Sequence, residues 1–313
     1  MHGRPFKQVD VFGAAPYRGN PLAVVLDGAG LSDTAMQQFA HWAQLSETTF
    51  LLPPSAQGAA AGADYRVRIF TPRNELPFAG HPTLGSCHAW LEAGGAPRAE
   101  GAIVQECPLG LVRIRRTNTP DTRLAFAAPP LQRSAPDPAL LARVSAALDL
   151  RTGQIIAAQL LDNGPVWLGL LLDSPQTVLH LEPDHLALKN LGLKVGVAGV
   201  EAALPAPLLI ARSNREARAF GTRRTESFAA DAMTFEVRAF AAAEGIPEDP
   251  VTGSLHASLA QWLIADGHAP GSYVATQGSC LGRHGQVHID CDATAQVWVG
   301  GDCVTCIDGR VRL

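Results

Sequence analysis

The sequence predicts an α+β fold of two similar units, in each of which a β-sheet wraps one apolar helix. The first indication is a repeat, because GSCHAWL at 85–91 returns as GSLHASL at 253–259. The similarity extends upstream, where 67–86 aligns with 237–254 if two residues are omitted. The second indication is that both halves consist mainly of short strand-like runs, with one strong apolar helix after the repeated loop. The third is a polar, proline-rich stretch that separates the halves.

The proline-rich stretch covers 118–138 and predicts a domain boundary. We expect an N-terminal domain of residues 1–130 and a C-terminal domain of residues 131–299. The chain has 313 residues, of which 47% are apolar, and it is therefore long and apolar enough to bury two cores.

In the N-terminal domain, runs bounded by turn residues predict strands at 6–12, 21–27, 46–54, 65–70 and in a hairpin at 103–116. A helix capped by Ser32 or Asp33 is predicted after the second run, because Met36, Phe39 and Ala40 follow at helical spacing. The C-terminal domain is expected to open with a helix at 139–150. Its strands are predicted at 154–161, 165–172, 206–213, 233–240, 273–278, 286–291 and 295–300.

The composition favours small-molecule chemistry in a soluble protein. Charged residues make up 17% of the chain, and the net charge is −4 with the basic residues scattered. This pattern gives no electrostatic footprint for nucleic acid or for an anionic membrane. No apolar run reaches about 18 residues, and the N-terminus lacks a secretory signal, so we expect a cytoplasmic location. Motifs of serine hydrolases and of nucleotide binding, such as GxSxG, GxGxxG and GxxxxGK[ST], do not occur in the required contexts.

The six cysteines are expected to be reduced thiols, because the chain is long and carries no export signal. Cys303 and Cys306 form one CxxC, for which metal or redox use is the alternative to packing in β-structure. A tetrahedral zinc site needs a second pair of ligands, and no histidine spacing typical of metal ligands occurs. We therefore predict no metal site.

Each copy of the repeat places a titratable residue close to a helix. His81 lies in GHPT and Asp249 lies at the corresponding position of EDPVT. Pro82 and Pro250 suit the first turn of a helix, where the missing N–H leaves no intrahelical bond unmade. We therefore expect the two helices to begin at these prolines.

The helix starts are also predicted to bind an anion. Unpaired N–H groups and the positive end of the dipole lie at a helix start, and small residues keep its first turn slim. Gly253 and Ser254 are such residues, and Gly85 and Ser86 match them in the first copy. If the two units face each other, both helix starts point into one cleft and hold a small carboxylate between the two titratable residues.

A structural interpretation of the same residues stays open. Asp249 would then be only a helix N-cap, and His81 a packed turn residue. Capping alone does not explain why both copies of the repeat carry a titratable side chain, His81 or Asp249, at the corresponding position. His88 and His256 also repeat, and we interpret them as packing or hydrogen-bonding residues.

Glu47 in LSETTFLL is a third candidate. A carboxyl group between a helix end and an apolar strand is desolvated, which raises its pKa toward neutrality and suits proton transfer. The alternative is a solvated residue at the start of a strand, and the local sequence does not decide between the two.

Five stretches of the chain resemble the PhzF family, which is named for an isomerase of phenazine biosynthesis. In chain order they are DVFGAAPYRGNPLAVVL, LSETTFLLPP, FTPRNELPFAGHPTLGS, EDPVTGSLHASLA and QGSCLGRHG, from residue 10 to about residue 286. The resemblance implies the diaminopimelate-epimerase fold, with two pseudo-symmetric domains, each a β-barrel-like sheet around a central helix. It also implies a site between the domains, a homodimer, and a C-terminal strand near 300–313 that rejoins the N-terminal domain.

The resemblance further implies proton transfer without a metal or an organic cofactor. Glu47 is then the acid/base that takes a proton from one carbon of a small carboxylate and returns it to another. His81 and Asp249 bind and orient the substrate and can relay protons, while Gly80 and Ser254 line the site.

The leading hypothesis is accordingly a cofactor-independent isomerase of a small carboxylate. Two alternatives remain: an epimerase or racemase of an amino-acid-like compound on the same fold, and a binding protein that kept the fold without turnover. The acid/base set favours catalysis over binding alone. Related racemases use two opposed cysteines, whereas here Cys87 lies inside the predicted helix and its counterpart is Leu255, which disfavours two-thiol chemistry.

Overall fold

A computed structural model describes residues 2–116, 123–200 and 234–313, and the strand predicted at 206–213 lies outside them. Within these ranges, eighteen strands join in one hydrogen-bonded sheet, against which seven α-helices pack. All the other predicted strands and both helices predicted outside the repeat are confirmed. No helix among the described residues is long and apolar enough to cross a membrane.

The strands are β1 (Gly3–Val11), β2 (Asn20–Val25), β3 (Thr48–Leu52), β4 (Tyr65–Phe70), β5 (Glu75–Leu76), β6 (Ile103–Cys107), β7 (Gly110–Arg116), β8 (Leu124–Ala127), β9 (Gln132–Ser134), β10 (Ile155–Asp162), β11 (Val166–Leu172), β12 (Lys194–Val200), β13 (Thr234–Ala241), β14 (Ile246–Asp249), β15 (Ser272–Gln277), β16 (Gly285–Cys291), β17 (Val297–Gly301) and β18 (Cys303–Arg312). The helices are α1 (Asp33–Ala43), α2 (Ala56–Ala60), α3 (Gly80–Glu92), α4 (Pro138–Ala147), α5 (Pro175–Leu179), α6 (His185–Leu191) and α7 (Gly253–Ala265).

The sheet consists of two halves with the same pairing pattern. The first runs β18-β1-β2-β3-β4-β6-β7-β8, and the second runs β9-β10-β11-β12-β13-β15-β16-β17. Along each half the pairs are antiparallel, antiparallel, parallel, antiparallel, parallel, antiparallel and antiparallel. Strand β8 pairs with β17 and joins the halves. The short repeat in the sequence therefore belongs to the repeat of a whole folded unit.

Each half of the sheet wraps one central helix. In α3, Leu84 and Cys87 are fully buried in the same core as Val11 of β1. In α7, Leu255 and Trp262 lie in that core as well. Both helices are buried along most of their length, which explains why neither has a wide polar face.

The other helices cover the outside of the sheet. Helix α1 packs Met36, Phe39 and Ala40 against the outer face of the first half, and Ser32 caps it by accepting a hydrogen bond from Ala35 N at 3.2 Å. Helices α4, α5 and α6 form a separate apolar cluster on the second half. Strand β18 pairs with β1 from Gly3↔Arg312 to Val11↔Cys303, so the last strand of the chain lies beside the first.

The predicted start of the second central helix is wrong. Helix α7 begins at Gly253, and Pro250 lies in the loop between β14 and that helix. Asp249 precedes a proline, which favours extended backbone, and it ends β14. The N–H of Thr252 then donates to Gln277 Oε1 at 3.0 Å, so the loop is tied to β15 before the helix starts.

This shift changes which residues of the two helices correspond. Helix α3 begins at Gly80, close to the predicted start, so Gly80 and His81 occupy the helix positions of Gly253 and Ser254. Gly85 and Ser86 lie in the second turn and face the core, where Ser86 Oγ donates to Thr49 Oγ1 at 2.9 Å. Their predicted part in the anion site is therefore wrong.

Candidate functional site

The N-termini of α3 and α7 meet at two glycines. A Cβ atom added to Gly80 would lie 2.7 Å from the Cα and C atoms of Gly253, and one added to Gly253 would lie 2.9 Å from Gly80 Cα. Such distances are far below van der Waals contact, so only glycine permits this approach. The two helix starts therefore face a single region between the two halves.

These two helix starts differ from the others in their capping. In the five other described helices a side chain accepts a hydrogen bond from the first turn, namely Ser32, Ser55, Asp137, Ser174 and Asp184. Within the described residues, the N-caps Ala79 of α3 and Thr252 of α7 make no such side-chain bond. Free N–H groups and the positive ends of two dipoles are thus directed at one place, which favours an anion there.

Asp249 accepts three side-chain hydrogen bonds at this place. Ser46 Oγ and Asn20 Nδ2 donate to Oδ1 at 3.0 and 2.9 Å, and Thr252 Oγ1 donates to Oδ2 at 2.6 Å. Burial raises the pKa of Asp249, and the three donors oppose that rise because they stabilise the carboxylate. Asp249 is not the N-cap of α7, since Thr252 occupies that position.

Glu47 lies between α1 and β3, with its side chain only 13% exposed. Burial, followed by the negative charge of Asp249, raises the pKa of Glu47 well above its ordinary value, while Lys194 opposes the rise. Glu47 Oε2 is 3.3 Å from His81 Nδ1 but has no hydrogen-bond partner among the described residues. The alternative of a solvated residue at a strand start is therefore wrong.

His81 is the second residue of α3 and is buried beside Glu47. Burial lowers the pKa of His81 to about 3, and a hydrogen bond with the Pro21 backbone only partly opposes this. The ring is therefore neutral at physiological pH. Its Nε2 atom is buried and has no partner in the described part of the chain, so it is available to a ligand.

Asn20 joins these groups, although the sequence analysis did not identify it as a candidate. Its side chain is completely buried, and Nδ2 donates to Asp249 Oδ1 and to the Val251 carbonyl, both at 2.9 Å. The same atom is 3.5 Å from His81 Nδ1. Asn20 Oδ1 is a further buried polar atom without a partner in the ranges that the structure describes.

Ser254 is the second residue of α7, and Trp167 positions its side chain. The indole Nε1 of Trp167 donates to Ser254 Oγ at 3.3 Å. Because the oxygen already accepts this bond, its own proton can be donated to a ligand at the helix start. Nothing in the local sequence linked Trp167 to this serine, which lies on another element.

Gln277 binds the backbone of the loop between β14 and α7. Its Nε2 donates to the Asp249 carbonyl at 2.8 Å, and its Oε1 accepts the N–H of Thr252 and lies 3.0 Å from His256 Nε2. Burial lowers the pKa of His256 to about 4, so this ring is neutral as well. The interpretation of His256 as a hydrogen-bonding residue agrees with these contacts.

Other chemically active groups have different surroundings. Cys87 is the eighth residue of α3, and burial raises the pKa of its thiol to about 12. His88 lies 3.1 Å from Thr305 Oγ1 of β18 through its Nε2 atom. Across residues 2–116, 123–200 and 234–313, no group of three or more His, Cys, Asp or Glu side chains is placed to hold a metal ion.

The structure thus brings together Glu47, His81 and Asp249, which are far apart along the chain. Gly80, Gly253 and Ser254 lie at the two helix starts beside them. A carboxyl group with a raised pKa stands next to a neutral imidazole and a hydrogen-bonded carboxylate. This arrangement can hold a carboxylate ligand at the helix starts and can exchange a proton with a carbon next to it.

Comparison with known sequences identifies relatives over nearly the whole chain. A family model described as phenazine biosynthesis-like protein matches residues 9–309. Antisense-enhancing sequence 1 of Schizosaccharomyces pombe is 34% identical, with 99% of each chain covered. The trans-2,3-dihydro-3-hydroxyanthranilate isomerase of Pseudomonas aeruginosa is 30% identical, over 97% of this chain and 98% of that enzyme.

Solved structures share the architecture. A phenazine biosynthesis protein of the PhzF family from Bacillus anthracis aligns over 100% of both chains with a TM-score of 0.75 and 19% identity. A probable proline racemase from Agrobacterium radiobacter aligns over 99% of this chain and 93% of its own, with a TM-score of 0.62 and 14% identity. The predicted diaminopimelate-epimerase-like fold is confirmed by these alignments.

Proposed function

Because the chain belongs to the PhzF family of phenazine biosynthesis-like proteins and is an isomerase, we propose that it moves a proton between two carbons of a small carboxylate. Glu47 performs the general acid/base catalysis, and no metal or organic cofactor takes part. The observation that carries this proposal is the position of Glu47, a buried carboxyl group with a raised pKa, beside two uncapped helix starts.

The substrate carboxylate binds at the starts of α3 and α7. Backbone N–H groups of Gly80 and Gly253 and the hydroxyl of Ser254 donate to its oxygens. The glycines allow the backbone of both helices to approach, so the anion is held from both sides. This binding fixes the adjacent carbon near Glu47, which replaces a bimolecular encounter by a preorganised one.

The proton moves in two steps. The Glu47 carboxylate first takes a proton from one carbon, and the electron pair of that C–H bond shifts into the conjugated system of the substrate. The protonated Glu47 then returns the proton to a second carbon, which restores the carboxylate. Asp249 raises the proton affinity of Glu47 through its charge, and the neutral ring of His81 lies beside the carboxyl group, with Nδ1 3.3 Å from Oε2.

The decisive experiment is solvent deuterium incorporation followed by NMR. We expect the wild-type protein in D₂O to introduce deuterium into a substrate drawn from small amino and hydroxy carboxylates, starting with trans-2,3-dihydro-3-hydroxyanthranilate. Glu47→Gln should reduce the rate by about two to four orders of magnitude, because general acid/base catalysis contributes this much. Glu182→Gln, at an exposed position, is the matched control and should keep the wild-type rate.

Unchanged incorporation in Glu47→Gln would contradict the proposal. The optical rotation of the same samples distinguishes isomerisation from epimerisation. A change of rotation without a change of bond positions would assign the epimerase alternative to the same residues.

A further inference from the structure

A cavity lies where the two halves of the molecule meet. Its volume is about 600 Å³, which is ample for part of a small metabolite. Leu76 and Pro77 line it from the loop that leads into α3. Val166, Lys194 and Glu244 line it from the second half. The cavity thus has walls on both sides of the same boundary as the candidate catalytic residues.

Lys194 is the less exposed of the two charged residues that line this cavity. It begins β12, its side chain is 14% exposed, and its Nζ lies 2.9 Å from Glu244 Oε1. The same ammonium group is 5.6 Å from the ring centre of Trp167, the residue that donates to Ser254 Oγ. Lys194 therefore stands one side chain away from the helix start at which the first carboxylate is proposed to bind.

The positive charge of Lys194 also acts on Glu47 and Asp249. It lowers the pKa of both Glu47 and Asp249, whereas the charge of Glu244 raises that of Glu47. The cavity and the acid/base residues are consequently parts of one electrostatic environment.

We propose that Lys194 binds a second acidic group of the substrate, at the end remote from the reacting carbon, so that the enzyme selects dicarboxylates. This inference rests on the proposed function, which places the first carboxylate at the helix starts. The apolar walls of the cavity, including Leu76, Pro77 and Val166, accommodate the carbon chain between the two acidic groups.

The ion pair in the free protein explains why an acid is selected. Glu244 is the more exposed partner, at 30%, and it lies in a short helical turn at 242–244. It can turn into solvent while a substrate carboxylate takes its place on Lys194. A ligand ammonium group would instead have to compete with Lys194 for Glu244, and a largely buried ammonium without a counter-ion is unfavourable.

The test compares three five-carbon probes in calorimetric titrations: pentanoate, glutarate and 5-aminopentanoate. We expect glutarate to bind the wild-type protein at least about tenfold more tightly than pentanoate, a difference of about 1.4 kcal/mol. Lys194→Met should remove this difference and leave the Kd of pentanoate unchanged. Lys189→Met removes a positive charge at an exposed position of α6 and should leave all three affinities unchanged.

Glu244→Gln provides a second variant that keeps Lys194 in place. It removes the competing counter-ion, so glutarate should bind more tightly than to the wild-type protein. Equal affinities for glutarate and pentanoate, a preference for 5-aminopentanoate, or selectivity that survives Lys194→Met would overturn the inference. These outcomes are separate from the deuterium experiment, because loss of exchange in Glu47→Gln tests the proposed function alone.

Discussion

At the scale of single residues, hydrogen bonds decide which buried carboxyl group holds a proton. Burial disfavours the charged form of both Glu47 and Asp249. Asp249 accepts bonds from three donors, whereas Oε2 of Glu47 has no hydrogen-bond partner in the residues that the structure describes. The three donors therefore stabilise the negative charge on Asp249, whereas burial and the charge of Asp249 favour the protonated form of Glu47.

The different environments of Glu47 and Asp249 predict how turnover depends on pH. Glu47 must lose its proton before it can act as a base, so kcat/KM should rise with pH through a pKa above 4.5, the ordinary value for this group. His81, with a pKa of about 3, is neutral throughout that range and adds no second transition. Asp249→Asn removes the charge that raises the pKa of Glu47, so the rising limb should move to lower pH.

The measurement is kcat/KM against pH for a substrate identified by deuterium incorporation, with Glu182→Gln as control. If the rising part of the plot of kcat/KM against pH does not move in Asp249→Asn, or moves to higher pH, the proposed roles of both carboxyl groups are contradicted.

The sequence predicted part of this chemistry. Glu47 could be named as a candidate from its place between a helix and an apolar strand, although the local sequence did not decide whether it is buried, and the titratable types at 81 and 249 followed from the repeat. Asn20 was not predicted, because its local signal is that of an ordinary turn. Its functional contacts reach Asp249 and Val251, which lie more than two hundred positions away in the chain.

At the scale of elements, two glycines set the distance between the central helices. The backbones of α3 and α7 touch at Gly80 and Gly253, and a side chain at either position would force the helix starts apart. Both helix ends must remain close if one carboxylate is to contact both.

Gly253→Ala should therefore lower both stability and substrate affinity. The added methyl group overpacks a buried contact, for which about 1–3 kcal/mol of destabilisation is typical. Urea denaturation measures the free energy of unfolding, and the KM for the identified substrate should rise in parallel. Gly153→Ala is the control, because a Cβ there meets no atom within 4 Å. Equal unfolding midpoints for the two variants would show that the contact is not tight.

The start of α7 illustrates a limit of local signals. Pro250 has the backbone geometry of a first helical turn, and the sequence alone favoured a start there. The competing interaction comes from Gln277, which binds the backbone of Asp249 and Thr252. Since that residue belongs to a distant strand, only tertiary structure reveals that the loop remains extended up to Thr252.

At the scale of the whole molecule, the last two strands of the chain connect the two halves. Strand β17 pairs with β16 of the second half and with β8 of the first, and the chain then continues directly into β18 beside β1. We propose that the N-terminal domain comprises residues 1–130 together with the strand at 303–312. The duplication could be predicted from the repeat, and the family resemblance implied that the last strand returns to the N-terminal domain. Its pairing with β1 was not predicted, because no local pattern encodes a partner that far away.

Truncation after Asp302 tests this arrangement. It removes the neighbour of β1 along its whole length and exposes an unpaired edge next to the core residues Val9 and Val11. We expect the truncated protein to unfold at a clearly lower temperature and to aggregate, as measured by circular dichroism and light scattering.

A synthetic peptide of residues 303–313, added in excess, should restore part of the lost stability, because it can re-pair with β1. A truncated protein that melts like the full chain would contradict the assignment of this strand to the N-terminal domain. Recovery by a scrambled peptide would contradict it equally, since register and side-chain pattern set strand pairing.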